Sequence, residues 1–306
     1  MKLVTFSTHP DAPTTQPLSP GSPVPAATLD LGLPTPGVLL STPQGDHVAD
    51  LSSLGYPSVL AIIIAGESAL DEIQSRLHQV PHLLLSSLTL HAPIPRPPRV
   101  FAIGLNYQKH AAESNMQVQK VPTVFMKLSS SVIGSGQSII LPRLSTQPDY
   151  EAEFAVVLGK PGYQIAAADA MSHVFGYTIC NDVSARDIQL STSQWTLGKS
   201  FPTFTPLGPS ITTADEVPDP HTLDISLTID GETLQSSNTS DLIFKLPELI
   251  AYLSSITPLE PGDIISTGTP EGVGLGRTPK RWLQPNEEIT ITIEKLGQLT
   301  NRTVAE

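Results

Sequence analysis

Proline sets the grain of this chain. Thirty of its 306 residues are proline and 21 are glycine, which leaves little room for long helices, because a proline inside a helix removes a backbone hydrogen bond and clashes with the preceding turn. Between these breaks lie short apolar runs: RVFAIGLNY, TVFMKLSSSVIG, SIILPR, EFAVVLGK, VFGYTICND, LDISLTID, GDIISTG and EEITITIEKLG. Runs of this length, bounded by turn residues, read as strands. The clearest helical stretch, LIFKLPELIAYLSSI, is expected to be interrupted at Pro247. Many short strands with little helix predict a β-rich α+β fold built on a rolled or barrel-like sheet.

The first 90 residues have a character of their own. MKLVTF reads as a first strand, and GVLLSTPQGDHVADL as a hairpin turning near Gln44, Gly45 and Asp46. VLAIIIAG at 59–66 is shorter than the ~20 residues a helix needs to cross a bilayer. It is expected to open a buried helix that ESALDEIQSRLHQV continues. Residues 1–90 should therefore form a small N-terminal α/β cap domain. The proline-rich HAPIPRPPR at 91–99 marks the boundary, and 91–306 forms the larger domain.

A formal charge of -12 argues against nucleic-acid or anionic-membrane partners, because phosphate binding rests on clustered Lys and Arg. Cys180 is the single cysteine; it excludes an intrachain disulfide and reads as a small buried residue. MKLVTFSTHPD has neither the apolar core of a signal peptide nor a run of arginines, so a cytoplasmic protein is expected.

The stretch DYEAEFAVVLGK raises a question of charge. Phe154, Val156, Val157 and Leu158 suit a strand entering a core, yet the strand begins with Glu151 and Glu153. Alternate strand residues point to one face, about 7 Å apart. Like charges so placed repel unless a cation or a proton separates them. A solvated strand end and one side of a metal site both fit. A third acid, Asp182, ends the strand in VFGYTICND, and Ser184 is placed to cap a short helix on which Arg186 and Gln189, three apart, share a face. Two glutamates and an aspartate are hard oxygen ligands that suit magnesium or manganese. A helix salt bridge from Arg186 to Asp182 or Asp187 is equally compatible with the spacing.

The succession DYEAE, GYTICNDVSARDIQ, WTLGKSFPTFTPLGP, SDLIFKLPELIAYLSS and LEPGDIISTGTPEGVG resembles the fumarylacetoacetate hydrolase family over 98–303. MKLVTF and GDHVADL resemble the small N-terminal domain of its bacterial-type members. The resemblance implies a mixed β-roll, a magnesium or manganese ion, a small-molecule oxo acid substrate and a homodimer. It implies Glu151, Glu153 and Asp182 as metal ligands, Lys199 as the active-site lysine, and Arg186, Gln189 and Thr269 as holders of the substrate's carboxylate and oxo groups. His110 and Glu113 alone read as a solvated helix pair; the resemblance makes them a water-activating dyad on a segment that closes over the substrate. Pro202 departs from the aspartate common in relatives, which bears on the positioning of Lys199.

The reaction so implied is hydrolysis of a carbon–carbon bond in a 2,4-dioxo acid, with the metal and Lys199 stabilising the enolate and His110 taking a proton from water. Decarboxylation of an oxaloacetate-like acid passes through the same enolate and is the alternative, with isomerisation of an unsaturated oxo diacid third.

Overall fold

The computed structural model of the chain describes residues 1–8, 34–42, 45–113 and 119–306. Its strands are β1 (Lys2–Ser7), β2 (Thr35–Thr42), β3 (Gly45–Asp50), β4 (His82–Leu84), β5 (Thr89–His91), β6 (Val100–Gly104), β7 (Thr123–Lys127), β8 (Val132–Ile133), β9 (Ile139–Leu141) and β10 (Pro148–Asp149). They continue as β11 (Ala152–Leu158), β12 (Val174–Asn181), β13 (Ser184–Ala185), β14 (Thr205–Thr213), β15 (Asp224–Ile229), β16 (Glu232–Asn238), β17 (Ile264–Ser266), β18 (Glu288–Ile293) and β19 (Gly297–Ala305). Five short α-helices accompany them among the described residues: α1 (Val59–Ala65), α2 (Glu67–Arg76), α3 (Gln108–Glu113), α4 (Arg186–Gln189) and α5 (Leu246–Ile256). The fold is α+β and β-rich, as the sequence predicts; every apolar run quoted above supplies at least one strand.

Twelve strands form one sheet, with path β4-β3-β2-β1-β14-β12-β11-β17-β6-β7, β5 on β1 and β8 on β14. A second sheet, β16-β15-β18-β19-β9, covers it. Most ladders are antiparallel, while β6 with β17, β8 with β14 and β9 with β19 run parallel, so the roll is mixed. Strand β11 is buried along its whole length. Its alternation sends Phe154, Val156 and Leu158 into the core shared with Ile225, Ile289 and Leu299 of the second sheet, and Ala155 and Val157 into the core shared with α1 and α2.

Strand β1 is hydrogen-bonded to β14, with Lys2 opposite Thr212. Residues before position 90 thus share a sheet with later ones. The 91–99 segment is packed between them: Ala92 and Ile94 are buried, and the Thr5 hydroxyl donates to the Pro93 carbonyl at 2.7 Å.

Two local expectations are corrected by the structure. The apolar run at 59–66 does not continue into one helix, because Gly66 takes φ 68° and ψ -142° and separates α1 from α2, a conformation that glycine adopts without a Cβ penalty. Pro247 does not interrupt a helix; it lies in the first turn of α5, where its missing N–H has no intrahelical partner to lose. Gln44 of the predicted hairpin turn lies outside the described residues, while β2 and β3 pair as expected, from Gly37 opposite Asp50 to Thr42 opposite Gly45.

The ring of Phe154 stacks on Tyr177 of the neighbouring strand, with centroids 5.2 Å apart. Phe154→Ala is expected to cost about 3–5 kcal/mol. A urea titration measures this loss, and a fully buried ring that could be removed for less than about 1 kcal/mol would contradict the packing described.

Candidate active site

Two strand ends create the site. Pairing of Ala152 with Asn181 and Glu153 with Cys180 aligns the start of β11 with the end of β12. Asp182 N–H then donates to the Glu151 carbonyl at 3.0 Å, and Glu151 N–H donates to the Asn181 side-chain oxygen at 3.1 Å. The backbone is fixed on both sides. Glu151, Glu153 and Asp182 each bring a carboxylate oxygen within 4.8 Å of the others, and all three are buried.

Three buried negative charges at that spacing need compensation. Lys199 Nζ donates to Glu151 Oε2 and Asp182 Oδ2, both at 2.7 Å. Arg186 Nη2 donates to Glu151 Oε1. Lys127 Nζ, on β7, takes the other oxygen of Asp182. Burial would raise the Glu151 carboxyl above its ordinary value, but Arg186 and Lys199 outweigh it and hold the group low. Lys199 is shifted the opposite way: burial would discharge it, and Asp182 and Glu151 keep it charged.

Glu153 is treated differently. Its Oε2 accepts from the Ser266 hydroxyl and, at 3.1 Å, from Gly268 N–H; among the described residues no cation touches it. Burial, followed by the charges of Asp182 and Glu151, raises it well above the usual carboxylate range. A group so placed favours either a proton or a neighbouring cation. The oxygen-only donor set, three converging acids with one held by neutral donors, fits a divalent cation of the magnesium or manganese type.

Arg186 is held from three sides. Nε donates to Asp149 Oδ2 at 2.8 Å and Nη1 to Gln189 Oε1 at 2.9 Å, in addition to Glu151. The expected partners Asp182 and Asp187 do not pair with it; Asp187 turns away to Ser145 and Thr146. Ser184 does not cap α4 either. It lies in β13, its hydroxyl donates to the Asp182 carbonyl at 2.9 Å, and the cap position belongs to Ala185. Thr269, in the loop after β17, accepts from Gln235 Nε2 at 2.9 Å, and Gln235 in turn accepts from Ala152 N–H.

His110 lies on α3 and is 7% exposed. Its Nδ1 is 3.4 Å from Glu113 Oε2, a long contact. Glu113 also accepts from Gly272 N–H at 3.2 Å. The His110 hydrogen bond is the main reason its carboxyl is lowered. The glycine run around Thr269 has a backbone reason here: Gly268 and Gly272 take φ 100° and 98°, and a Cβ on Gly272 would stand 2.2 Å from the Leu234 carbonyl oxygen.

Eight of the nine side chains singled out in the sequence line one cavity of about 50 Å³. The ninth, Glu113, reaches it through His110. Pro202 leaves this arrangement alone. It is exposed, in a turn closed by Phe204 N–H on the Phe201 carbonyl with Thr203 at φ 72°, and its fixed φ suits the second position of such a turn.

Sequence reasoning missed Lys127, Asp149 and Ser266. Asp149 is a hub, accepting from Gly274 N–H at 2.7 Å and Leu275 N–H at 3.0 Å as well as from Arg186. The available signal for it was three acids within three alternate positions, 149, 151 and 153. Lys127 offered no such signal.

The site and the fold have counterparts among known proteins. The profile of the family described as "Fumarylacetoacetate (FAA) hydrolase C-terminal" matches residues 99–304. Oxaloacetate tautomerase Fahd2a, mitochondrial, of Rattus norvegicus is 44% identical over 277 residues, covering 89% of this chain and 88% of the relative. Oxaloacetate tautomerase YisK of Bacillus subtilis (strain 168) is 45% identical over 236 residues, covering 76% and 77%. Maleylpyruvate hydrolase from Sphingobium sp. SYK-6, solved in complex with manganese (II) ion and pyruvate, is 28% identical and superposes with a TM-score of 0.79, covering 100% of this chain and 99% of its own. The motifs that resembled a family in the sequence are thus matched along almost the whole of the larger sheet-forming region, and the chain belongs to the fumarylacetoacetate hydrolase family of enzymes.

Proposed function

We propose that this enzyme moves a proton at the carbon beside the oxo group of a small 2-oxo diacid, interconverting the keto and enol forms of oxaloacetate with the help of a magnesium or manganese ion. One observation carries the reading: a single buried histidine faces a cluster of acids and cations across a cavity of about 50 Å³. That is one base and one anion-stabilising pole, the minimum for enolisation. The relatives named as oxaloacetate tautomerases support this choice over the carbon–carbon hydrolysis that the sequence placed first.

A divalent ion held by Glu151, Glu153 and Asp182 would supply Lewis-acid charge beside the oxo oxygen. The rest falls to the chain's own residues. Arg186, Gln189 and Thr269 bind and orient the carboxylate end. Lys199 Nζ places a positive charge where the oxo oxygen becomes negative. His110 Nε2 accepts the proton from the adjacent carbon and returns it, while Glu113 fixes the imidazole through Nδ1. Asp149 positions Arg186. No bond between carbons breaks, so no attacking water is required.

Hydrolysis is the second reading, favoured by the His110–Glu113 contact and by the likeness to maleylpyruvate hydrolase. The two separate in one assay series on the manganese-supplied protein. Enol oxaloacetate is followed by its ultraviolet absorbance, and pyruvate release is measured from an acylpyruvate. Tautomerisation is expected in the wild type, with His110→Ala slower by about 10²- to 10⁴-fold. Pyruvate release without any acceleration of the keto–enol exchange would replace the first reading with the second.

A further inference from the structure

The polar half of the cavity has counterparts in the expected machinery, but its other wall does not. Trp195 and Phe125 line it together with Gly104. Trp195 belongs to the irregular segment between α4 and Lys199, and its position is set by two packed neighbours and by the anchoring of that segment. Its ring meets the Phe125 ring edge-on, with centroids 5.4 Å apart and planes at 64°. It also lies on the bare face of Gly104, where a Cβ would come within 2.5 Å of Trp195 Cζ3. The segment is anchored further along by Gly198, whose carbonyl accepts from Ala185 N–H at 2.8 Å and whose Cα packs so closely on Gln189 that a Cβ would stand 2.4 Å from its backbone nitrogen. The indole is therefore braced by a ring on one side and backbone on another. An aromatic side chain held this way has few rotamers with which to yield.

Lys199 Nζ lies over the same Phe125 ring, 5.1 Å from its centroid. Phe125 thus links the charged pole to the indole, touching both. A substrate anchored by its 2-oxo acid end at Lys199 and Arg186 directs its remaining carbons along Phe125 toward Trp195. The cavity of about 50 Å³ is far below the ~300–1,000 Å³ of pockets that take drug-sized ligands. Among the described residues the cavity leaves little room beyond a short chain.

We infer that Trp195, braced by Gly104 and Phe125, is the specificity-determining residue that restricts the site to short oxo acids. The inference rests on the proposed function for the end of the substrate that is anchored, and it adds the limit at the other end. Trp195 touches the substrate's far carbons and takes no part in moving the proton. Its removal should change which acids bind and leave the anchoring of their common end intact.

The test is calorimetric binding of pyruvate, 2-oxobutyrate and 2-oxohexanoate to the whole chain with saturating Mn²⁺, for wild type, Trp195→Ala and Trp195→Phe. Wild type is expected to bind 2-oxohexanoate at least ~10-fold more weakly than 2-oxobutyrate, the discrimination typical of a pocket wall against added methylenes. Trp195→Ala should abolish that drop while holding pyruvate within about 3-fold of wild type, and Trp195→Phe should retain most of it. An unchanged drop in Trp195→Ala, an equal loss of pyruvate binding, or no length dependence in wild type would each overturn the inference. Failure of the tautomerase reading is read elsewhere: a wild type that shows the length limit and its release in Trp195→Ala, yet does not accelerate keto–enol exchange, refutes that reading and upholds this one.

Discussion

Asp182→Ala is expected to lose divalent-cation binding and about 3–5 kcal/mol of stability together. The second loss follows from what Asp182 holds. Its two oxygens accept from Lys127 and Lys199, both buried, at 2.5 and 2.7 Å, and removing one partner of a buried pair leaves uncompensated charge that costs about this much. For a chain of this size the loss lowers Tm by on the order of 10 °C. Titration calorimetry with Mn²⁺ and thermal unfolding measure the two effects separately. Asp182→Asn, which keeps the shape and one acceptor oxygen, should recover part of the stability and little of the metal affinity. A variant with wild-type Mn²⁺ affinity would remove Asp182 from the ligand set.

Lys199→Met should depress every reaction that passes through an enolate. The long apolar side chain fills the space but removes the charge that faces the developing oxyanion, a change worth about 10²- to 10³-fold in kcat. Keto–enol exchange and oxaloacetate decarboxylation should fall together, whereas His110→Ala should spare part of the decarboxylation, which needs no base at carbon. Oxalate, a planar dianion, should inhibit wild type and His110→Ala alike and bind less well to Lys199→Met. Steady-state rates of both reactions and oxalate inhibition in the three proteins decide the matter. Equal loss of both reactions in folded, metal-binding His110→Ala would make the histidine a substrate-positioning group.

How much of this was legible in the sequence depended on how far apart the interacting parts lie. The acids at 151 and 153 announced themselves, because two charges at strand spacing before an apolar run demand an explanation. The helical face carrying Arg186 and Gln189 was equally local, and the 2.9 Å contact between them is a property of their spacing. Lys127 was invisible. Lysine is almost never fully buried without a partner, and the partner here, Asp182, lies 55 residues along the chain, just past the end of β12. Asp149 stood in the quoted motif, but its role depends on amides 125 and 126 residues away. Ser184 was misread for the same reason: a cap box is a local pattern, and the pairing of β13 with β10 overrode it. Trp195 has meaning only against Gly104 and Phe125, which the chain brings from two other strands.

The pairing of β1 with β14 also dictates a timetable. Lys2 waits for Thr212, which a ribosome adding about 5–20 residues per second supplies roughly 10–40 s later. Until then, β1 has an open hydrogen-bonding edge where β14 will lie, and β12, which also adjoins β14, has another. A nascent chain stalled before residue 205 exposes both edges, and unpaired strand edges are templates for association. The large sheet is complete only later still, when β17 (Ile264–Ser266) emerges to join β11 to β6. Synthesis thus leaves part of one edge of the first strand open long after β2 and β5 have paired with it.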